Sequence, residues 1–394
     1  MQMSQTIKWD YEVDIAVVGY GGAGAITAIT AHDLGAKILI LEKQKQDTPD
    51  TINHTPNSRI SGGFVLCATD AKKAADYLYW SSWGATPRDC CEVMGEYMVT
   101  NEEYMRSMGS SVERAKGYLR SCEFYDVAPG SDAIYVSLHK GRSPKQFQIF
   151  MDNINRRKIP VLYNCCGKEL IQDQNTREVI GVVAESHEKK VYVKANKAVV
   201  LSTGGFEWDE EMKLNFLRAY PSYFYSNPAN EGDGIKMGQK AGAALWHMNT
   251  ISARVIPYIE DQKLAFGSVF NTPFILVNKY GKRFTTEPGE TDPAKYRSHS
   301  FWLECVDFDT QKVEYPQVPC YQIFDETTRL KGPFARSFKK GLLPDGTIQY
   351  YYRWSKDNSE EIKKGWVIKA NTIEELAENI AGQDSENDGK MDST

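Results

Sequence analysis

The stretch that most constrains this chain is residues 14–43, DIAVVGYGGAGAITAITAHDLGAKILILEK. Ile15, Ala16, Val17 and Val18 form a short continuous apolar run, the pattern of a parallel strand buried on both faces. Gly19-Tyr20-Gly21-Gly22-Ala23-Gly24 then satisfies G-x-G-x-x-G. The small residues that follow predict a helix over about 25–34, able to pack close to a sheet. Residues 38–41 are a second apolar strand, which ends at Glu42. In such a unit Gly19 permits the tight turn, Gly21 lets the backbone approach a pyrophosphate, and Gly24 allows close helix–strand packing. The helix dipole and the free N–H groups at its start favour phosphate. Glu42 stands where a carboxylate can accept hydrogen bonds from both ribose hydroxyls. Strand, turn, helix, second strand and acid together read as a dinucleotide-binding unit. The competing reading is a Gly-rich turn in an ordinary α/β domain.

A length of 394 residues allows two domains. A net charge of −5 and a pI near 5.8 argue against a nucleic-acid surface. No apolar run approaches the roughly 20 residues of a membrane span. The first residues, MQMSQTIKWDYEVD, carry no apolar export core. Eight cysteines include the pairs Cys90-Cys91 and Cys165-Cys166, with no CxxC and no metal spacing. Free thiols in a reducing, cytoplasmic setting are therefore expected, and no metal.

Along the chain, Asn57-Ser58-Arg59-Ile60-Ser61-Gly62-Gly63 offers glycines beside small hydroxyl residues. That suits a flat ligand, or an ordinary surface turn. Residues 70–125 read as helical, with starts near 71 and 89, and 126–145 as irregular before a helix over 145–157. The period then changes to strands at 161–163, 179–185 and 191–194. A separate apolar strand at 198–201 runs into Ser202-Thr203-Gly204-Gly205, delivering N–H groups at the carboxyl edge of a parallel sheet. Tyr220, Tyr223, Phe224 and Tyr225 form an aromatic cluster, read first as core. Asp233 opens a helix over 235–244, and capping is its plain role. Beyond Ser252 prolines recur and short strands alternate with loops. Thr372 and Glu375 form a capping box for a short helix, and the tail is polar.

Taken in order, VVGYGGAGAITAI, ILEK, NSRISGG, VVLSTGGF, NEGDGIKMGQKAGA, GKRF and NTIEELA resemble the fumarate reductase/succinate dehydrogenase flavoprotein superfamily. The resemblance is to its soluble branch of 3-ketosteroid dehydrogenases and urocanate reductase. It implies an α/β fold: a Rossmann-like FAD-binding domain, parallel sheet plus β-meander, with an inserted α+β capping domain. It places the FAD-binding domain at 1–251, the capping domain at 252–370, and a helix and polar tail at 371–394. It implies FAD rather than NAD. Gly19, Gly21, Gly22, Ala23 and Gly24 would hold the pyrophosphate, and Glu42, with Lys43 beside it, the adenosine end. Asn57, Ser58, Ser61, Gly62 and Gly63 would follow the ribityl chain and flavin edge. Gly167 would touch adenine, and Thr203, Gly204, Gly205 and Asp233 would complete the cradle.

The activity implied is hydride transfer between flavin N5 and an activated C=C, that of an enone or ketosteroid-like small molecule. The electron donor stays open. The proton-donor position near Glu290 and Thr291 carries no arginine, and the family's carboxylate binders are not found in 245–275. An unsaturated carboxylate (urocanate, cinnamate or fumarate type) is therefore the alternative rather than the first reading. Tyr296 is the nearest candidate acid. Arg283 is a second catalytic candidate, though with Glu287 it more readily holds its domain together. The family's closing Gly-Leu-Tyr-Ala-Ala-Gly-Glu segment is not in this sequence, so the resemblance implies a C-terminally incomplete member. An FAD-binding remnant without activity and an NAD-only dehydrogenase are the competing classes.

Overall fold

The computed structural model describes residues 7–115, 127–251, 256–259, 264–269, 273–285, 287 and 304–383. Its centre is a six-stranded sheet in the order β6-β2-β1-β9-β8-β7. These strands are β1 (Tyr11–Val18), β2 (Ile38–Leu41), β6 (Val161–Leu162), β7 (Cys166–Gln172), β8 (Val179–Ser186) and β9 (Lys189–Leu201). β6, β2, β1 and β9 run parallel, and β7, β8 and β9 form an antiparallel meander. The continuous apolar runs are buried on both faces, as such runs require: Ala16, Val17 and Ile40 have no exposed surface.

Alternate residues of β1 feed two cores. Val17 packs with Ala25, Ala28 and Ile29 of α1 (Gly22–Asp33) and with Phe147, Phe150 and Ile154. Ala16 and Val18 pack on the other face with Leu39, Leu41, Val182, Val193 and Met237. This is the period-2 alternation of a strand, with a helical layer on one side and the folded-back meander on the other.

The remaining elements are α2 (Asn57–Ile60), β3 (Phe64–Ala68), α3 (Ala71–Ser81), α4 (Arg88–Ser107), β4 (Val112–Arg114), β5 (Ile134–His139) and α5 (Arg142–Arg156), followed by α6 (Glu210–Phe216) and α7 (Asp233–Lys240). After these come β10 (Tyr258–Ile259), β11 (Leu264–Ala265), β12 (Ile275–Asn278), β13 (Cys320–Ile323), α8 (Glu326–Arg329), β14 (Phe338–Leu342), β15 (Ile348–Tyr352), α9 (Ser359–Lys363) and α10 (Ile373–Gln383). β10 to β15 form three two-stranded sheets. Phe266, Phe338 and Trp354 build a core that also takes in Ile60 of α2. The capping box holds: the Glu375 N–H donates to Thr372 Oγ1 at 3.1 Å, while the Glu375 carboxylate accepts from the Asn371 N–H.

Several expectations are corrected. The segment 126–145, read as irregular, contains β5, the centre of a three-stranded sheet with β3 and β4. β4 itself lies in the stretch read as helical, and residues 116–126 fall outside the described ones. The two strands expected at 191–194 and 198–201 are one thirteen-residue strand, β9. Its first half pairs antiparallel with β8 and its second half parallel with β1, across an irregularity opposite Val13 and Ile15. Asn196 and Lys197 look like a turn in sequence because they are polar, but ladder pairing on either side carries the strand through them. α1 begins at Gly22, earlier than composition suggests, because the turn glycines themselves enter the helix.

Candidate functional site

The carboxyl ends of β1, β2 and β9 and the starts of α1 and α7 meet around a cavity of about 270 Å³. Gly19, which ends β1, has φ +102°, and a Cβ there would stand 2.4 Å from the Ser202 carbonyl oxygen, so only glycine makes this turn without strain. At Gly24 a Cβ would meet Gly19 O at 2.1 Å: the helix touches the turn through bare backbone. Gly21 differs, because a Cβ there would find only ordinary contacts, with Pro56 and Ser58, at the cavity wall. Since α1 starts at Gly22, its first N–H groups have no intrahelical acceptor. That of Gly22 donates to Ser58 Oγ at 2.8 Å.

Opposite, Ser202 ties β9 to this turn. Its N–H donates to Val18 O, and its hydroxyl reaches Val18 O and Gly19 O, each at 3.0 Å. Thr203 Oγ1 accepts from the Gly234 N–H at 3.1 Å, joining the second glycine turn to α7.

Glu42 is buried at the end of β2. Its Oε2 accepts from the Tyr20 N–H at 2.8 Å and its Oε1 from the Gln44 N–H at 2.7 Å. Burial pushes its pKa up, but His54 and these two backbone donors more than offset that and hold it below the usual carboxylate value. The two carboxylate oxygens offer about four acceptor sites together, so these backbone donors leave capacity for a ligand hydroxyl. Lys43, next to it, pairs with Asp233 at 2.6 Å and Glu231 at 3.0 Å. Burial lowers the Lys43 pKa, and these two acids reverse that and raise it.

Of the expected residues, Gly19, Gly21, Gly22, Ala23, Glu42, Lys43, Asn57, Ser58, Gly167, Thr203, Gly204 and Asp233 line the cavity. Gly24, Ser61, Gly62, Gly63 and Gly205 do not: Gly24 packs helix on turn, and Ser61 donates to the Ser58 carbonyl beyond α2. Asn57 has both ends of its amide engaged, donating to Glu207 and accepting from the Asn227 N–H. Arg283 does not line this cavity; its exposed side chain pairs with the largely buried Glu287, whose carboxylate also accepts from the Leu276 N–H. Tyr296, Glu290 and Thr291 lie outside the described residues. Sequence reasoning missed Gln44, Pro56, Cys165, Cys166, Asn227 and Asn230 as lining residues. Asn227 and Asn230 sit in a loop without periodic signal, and only the fold brings the first to Asn57 of α2 and the second to Glu207 and Gly204.

The described residues show no metal-binding cluster and no helix long and apolar enough to cross a membrane. Residues 14–325 match the family model described as FAD binding domain.

The chain belongs to this FAD-binding family.

The fumarate reductase (cytochrome) of Shewanella frigidimarina is 28% identical over 298 residues, covering 72% of this chain and 49% of that protein. The 3-oxosteroid 1-dehydrogenase of Mycobacterium tuberculosis is 28% identical over 236 residues, covering 57% of this chain and 38% of that protein. Among solved structures, 3-ketosteroid Δ1-dehydrogenase from Sterolibacterium denitrificans superposes with a TM-score of 0.74 at 18% identity, over 94% of this chain and 76% of that one. The chain spans about half or less of the length of these two relatives. The cofactor of the family is FAD. The cavity fits its adenosine diphosphate end: a bare-backbone turn, a helix start and a buried carboxylate stand at successive points of one wall.

Proposed function

We propose that this chain is the FAD-bearing part of an oxidoreductase acting on CH–CH bonds, with an enone or ketosteroid-like small molecule as substrate. The observation that carries the reading is the cavity formed where two glycine turns, at Gly19 and Gly204, face each other across the ends of β1 and β9. Bound FAD would supply hydride transfer to or from the substrate carbon. The protein's part is placement. The Gly19–Ala23 turn and the α1 start receive the pyrophosphate, and Glu42 accepts the ribose hydroxyls. Lys43 and Asp233 brace the adenosine end, with Gly167 against the adenine. Ser58, Ser61, Gly62, Gly63 and Thr203 to Gly205 continue toward the flavin.

Residues 252–370 serve as the capping domain over the 1–251 unit, with 371–394 as an appended helix and tail. The enone or ketosteroid reading is supported by the likeness to 3-oxosteroid 1-dehydrogenase. An unsaturated carboxylate is the second reading, favoured by the likeness to fumarate reductase. Tyr296 is the proposed proton donor.

The test begins with the visible spectrum of the purified protein before and after dithionite. Flavin bands that bleach support the cofactor reading. A folded protein that fails to take up added FAD refutes it for this chain. Enones, ketosteroids and unsaturated acids, assayed with reduced viologen, then separate the substrate classes. Unchanged turnover in Tyr296→Phe removes that residue from the mechanism.

A further inference from the structure

Beside Glu42, the side chain of His54 has no exposed surface. Its ring stacks on Tyr20 (centroids 5.1 Å apart, planes at 20°) and meets Phe147 and Tyr163 edge-on at 5.5 and 5.9 Å. Both ring nitrogens are buried without an aligned hydrogen-bond partner, but Nε2 stands 3.4 Å from Glu42 Oε2. A phenylalanine would fill this aromatic box without burying two polar atoms, which is unfavourable unless they meet a partner.

The backbone leaves the imidazole one acid to face. Asp47 is consumed by Arg59 Nη1 at 2.6 Å and by the N–H groups of Asn53 and His54 at 2.8 and 2.9 Å. Arg59 Nη1 also donates to the His54 carbonyl at 2.6 Å. Arg59 is itself buried, and a Cβ on Gly341 of β14 would stand 2.5 Å from its Nε. The loop is thus pinned from below by an ion pair that β14 covers. Among the described residues, the rings of Tyr20 and Tyr163 flank the imidazole, and the Glu42 carboxylate is the acid within reach of it.

We propose that His54 is a positioning residue: its Nε2–H is directed at the Glu42 carboxylate and holds it, ionised and oriented, for the ribose diol of the dinucleotide. This rests on the reading of the cavity as the FAD site. Glu42 then carries three donors from three places, the Gly turn (Tyr20 N–H), its own strand end (Gln44 N–H) and the 47–54 loop (His54). His54 is the donor that a single substitution can remove without touching backbone.

The test uses two variants that separate donor from filler. His54→Phe keeps ring and stack and loses the N–H, whereas His54→Gln keeps an N–H donor and loses the ring. FAD and ADP affinities are measured by titration calorimetry on the full chain. The expected result is about tenfold weaker binding of both ligands in His54→Phe, the loss of one hydrogen bond to a charged group. His54→Gln should stay within about threefold of the wild type.

Equal binding by His54→Phe and wild type overturns the proposal, and so does a His54→Gln variant weaker than His54→Phe, which assigns the site to packing. Wild type that binds neither FAD nor ADP sinks the cofactor reading instead. In that event, or if a variant fails to fold, the imidazole 15N spectrum of the ligand-free wild type decides, assigned by contacts to the Tyr20 ring. A proton on Nε2 supports the proposal, and a bare Nε2 with the proton on Nδ1 overturns it.

Discussion

Replacing Gly24 and Gly21 by alanine, one at a time, separates what the glycine turn does for the fold from what it does for the ligand. At Gly24 the new methyl would stand 2.1 Å from Gly19 O and 2.7 Å from Ser202 Oγ. Neither can step aside, because Ser202 is bonded to Val18 O and Gly19 O and both carbonyls end β1. Relief requires helix and strand to part. Overpacking of this kind costs about 1–3 kcal/mol, and the gain from Gly to Ala in a helix offsets roughly 0.5–1 kcal/mol of it. A net loss of about 0.5–2 kcal/mol follows, and a melting temperature lower by at least about 2 °C per kcal/mol for a domain of ordinary size. At Gly21 the methyl makes only ordinary contacts, 3.7 Å from Pro56 Cβ and 3.8 Å from Ser58 Oγ, and φ is −87°, which alanine adopts freely. The ligand-free protein should stay within about 0.5 kcal/mol of wild type. That methyl, however, occupies the cavity wall where the pyrophosphate must approach, so FAD affinity should fall tenfold or more. The assay is a thermal melt of each ligand-free variant, paired with FAD titration. A Gly24→Ala protein that melts with the wild type would refute the close-packing argument. Gly21→Ala binding FAD as wild type does would refute the placement of the pyrophosphate.

Lys43→Met should weaken FAD binding while changing stability by less than about 1 kcal/mol, since its pairs with Asp233 and Glu231 are partly open to solvent; calorimetric titration and melts of the same samples check both halves. Asp33 at the end of α1 is bridged to Arg157 at 2.7 Å, and the guanidinium holds its pKa down to about 2. A depressed carboxylate contributes stability above its ordinary value near 3.8 and loses it as pH falls toward 2. Arg157→Ala should therefore flatten that acid limb, by under about 1 kcal/mol given the exposure of Asp33, as followed by denaturation at a series of pH values. Phe338→Ala removes a fully buried ring packed against Tyr225 and Tyr351, with centroids 4.7 and 4.9 Å away. A cost of about 3–5 kcal/mol is expected, seen as early proteolysis in the region after residue 252. Cleavage at the wild-type rate would show that this aromatic core contributes little.

What the sequence by itself determined was the dinucleotide unit. The apolar runs of β1 and β2, the turn at Gly19, the close approach at Gly24 and the acid at Glu42 are set within thirty consecutive residues. Each is written in local chemistry: a double-buried strand is apolar throughout, and a positive φ selects glycine. The helices α3, α4 and α5 were legible for the same reason, because their periodicity is local. Only the tertiary structure decided the rest. β5 is a strand because β3 and β4 lie on either side of it, and β9 is continuous because two different neighbours satisfy its two halves. Asn227 and Asn230 reach the cavity only once β9, α6 and α7 have brought their loop back to α2. His54 and Arg59 read as polar loop residues and are buried, since an aromatic box from the turn after β1, α5 and the loop after β6 encloses one and β14 covers the other. Partners that lie tens to hundreds of residues away leave no period in the sequence, so the satisfaction of a buried polar group is a property of the folded chain alone.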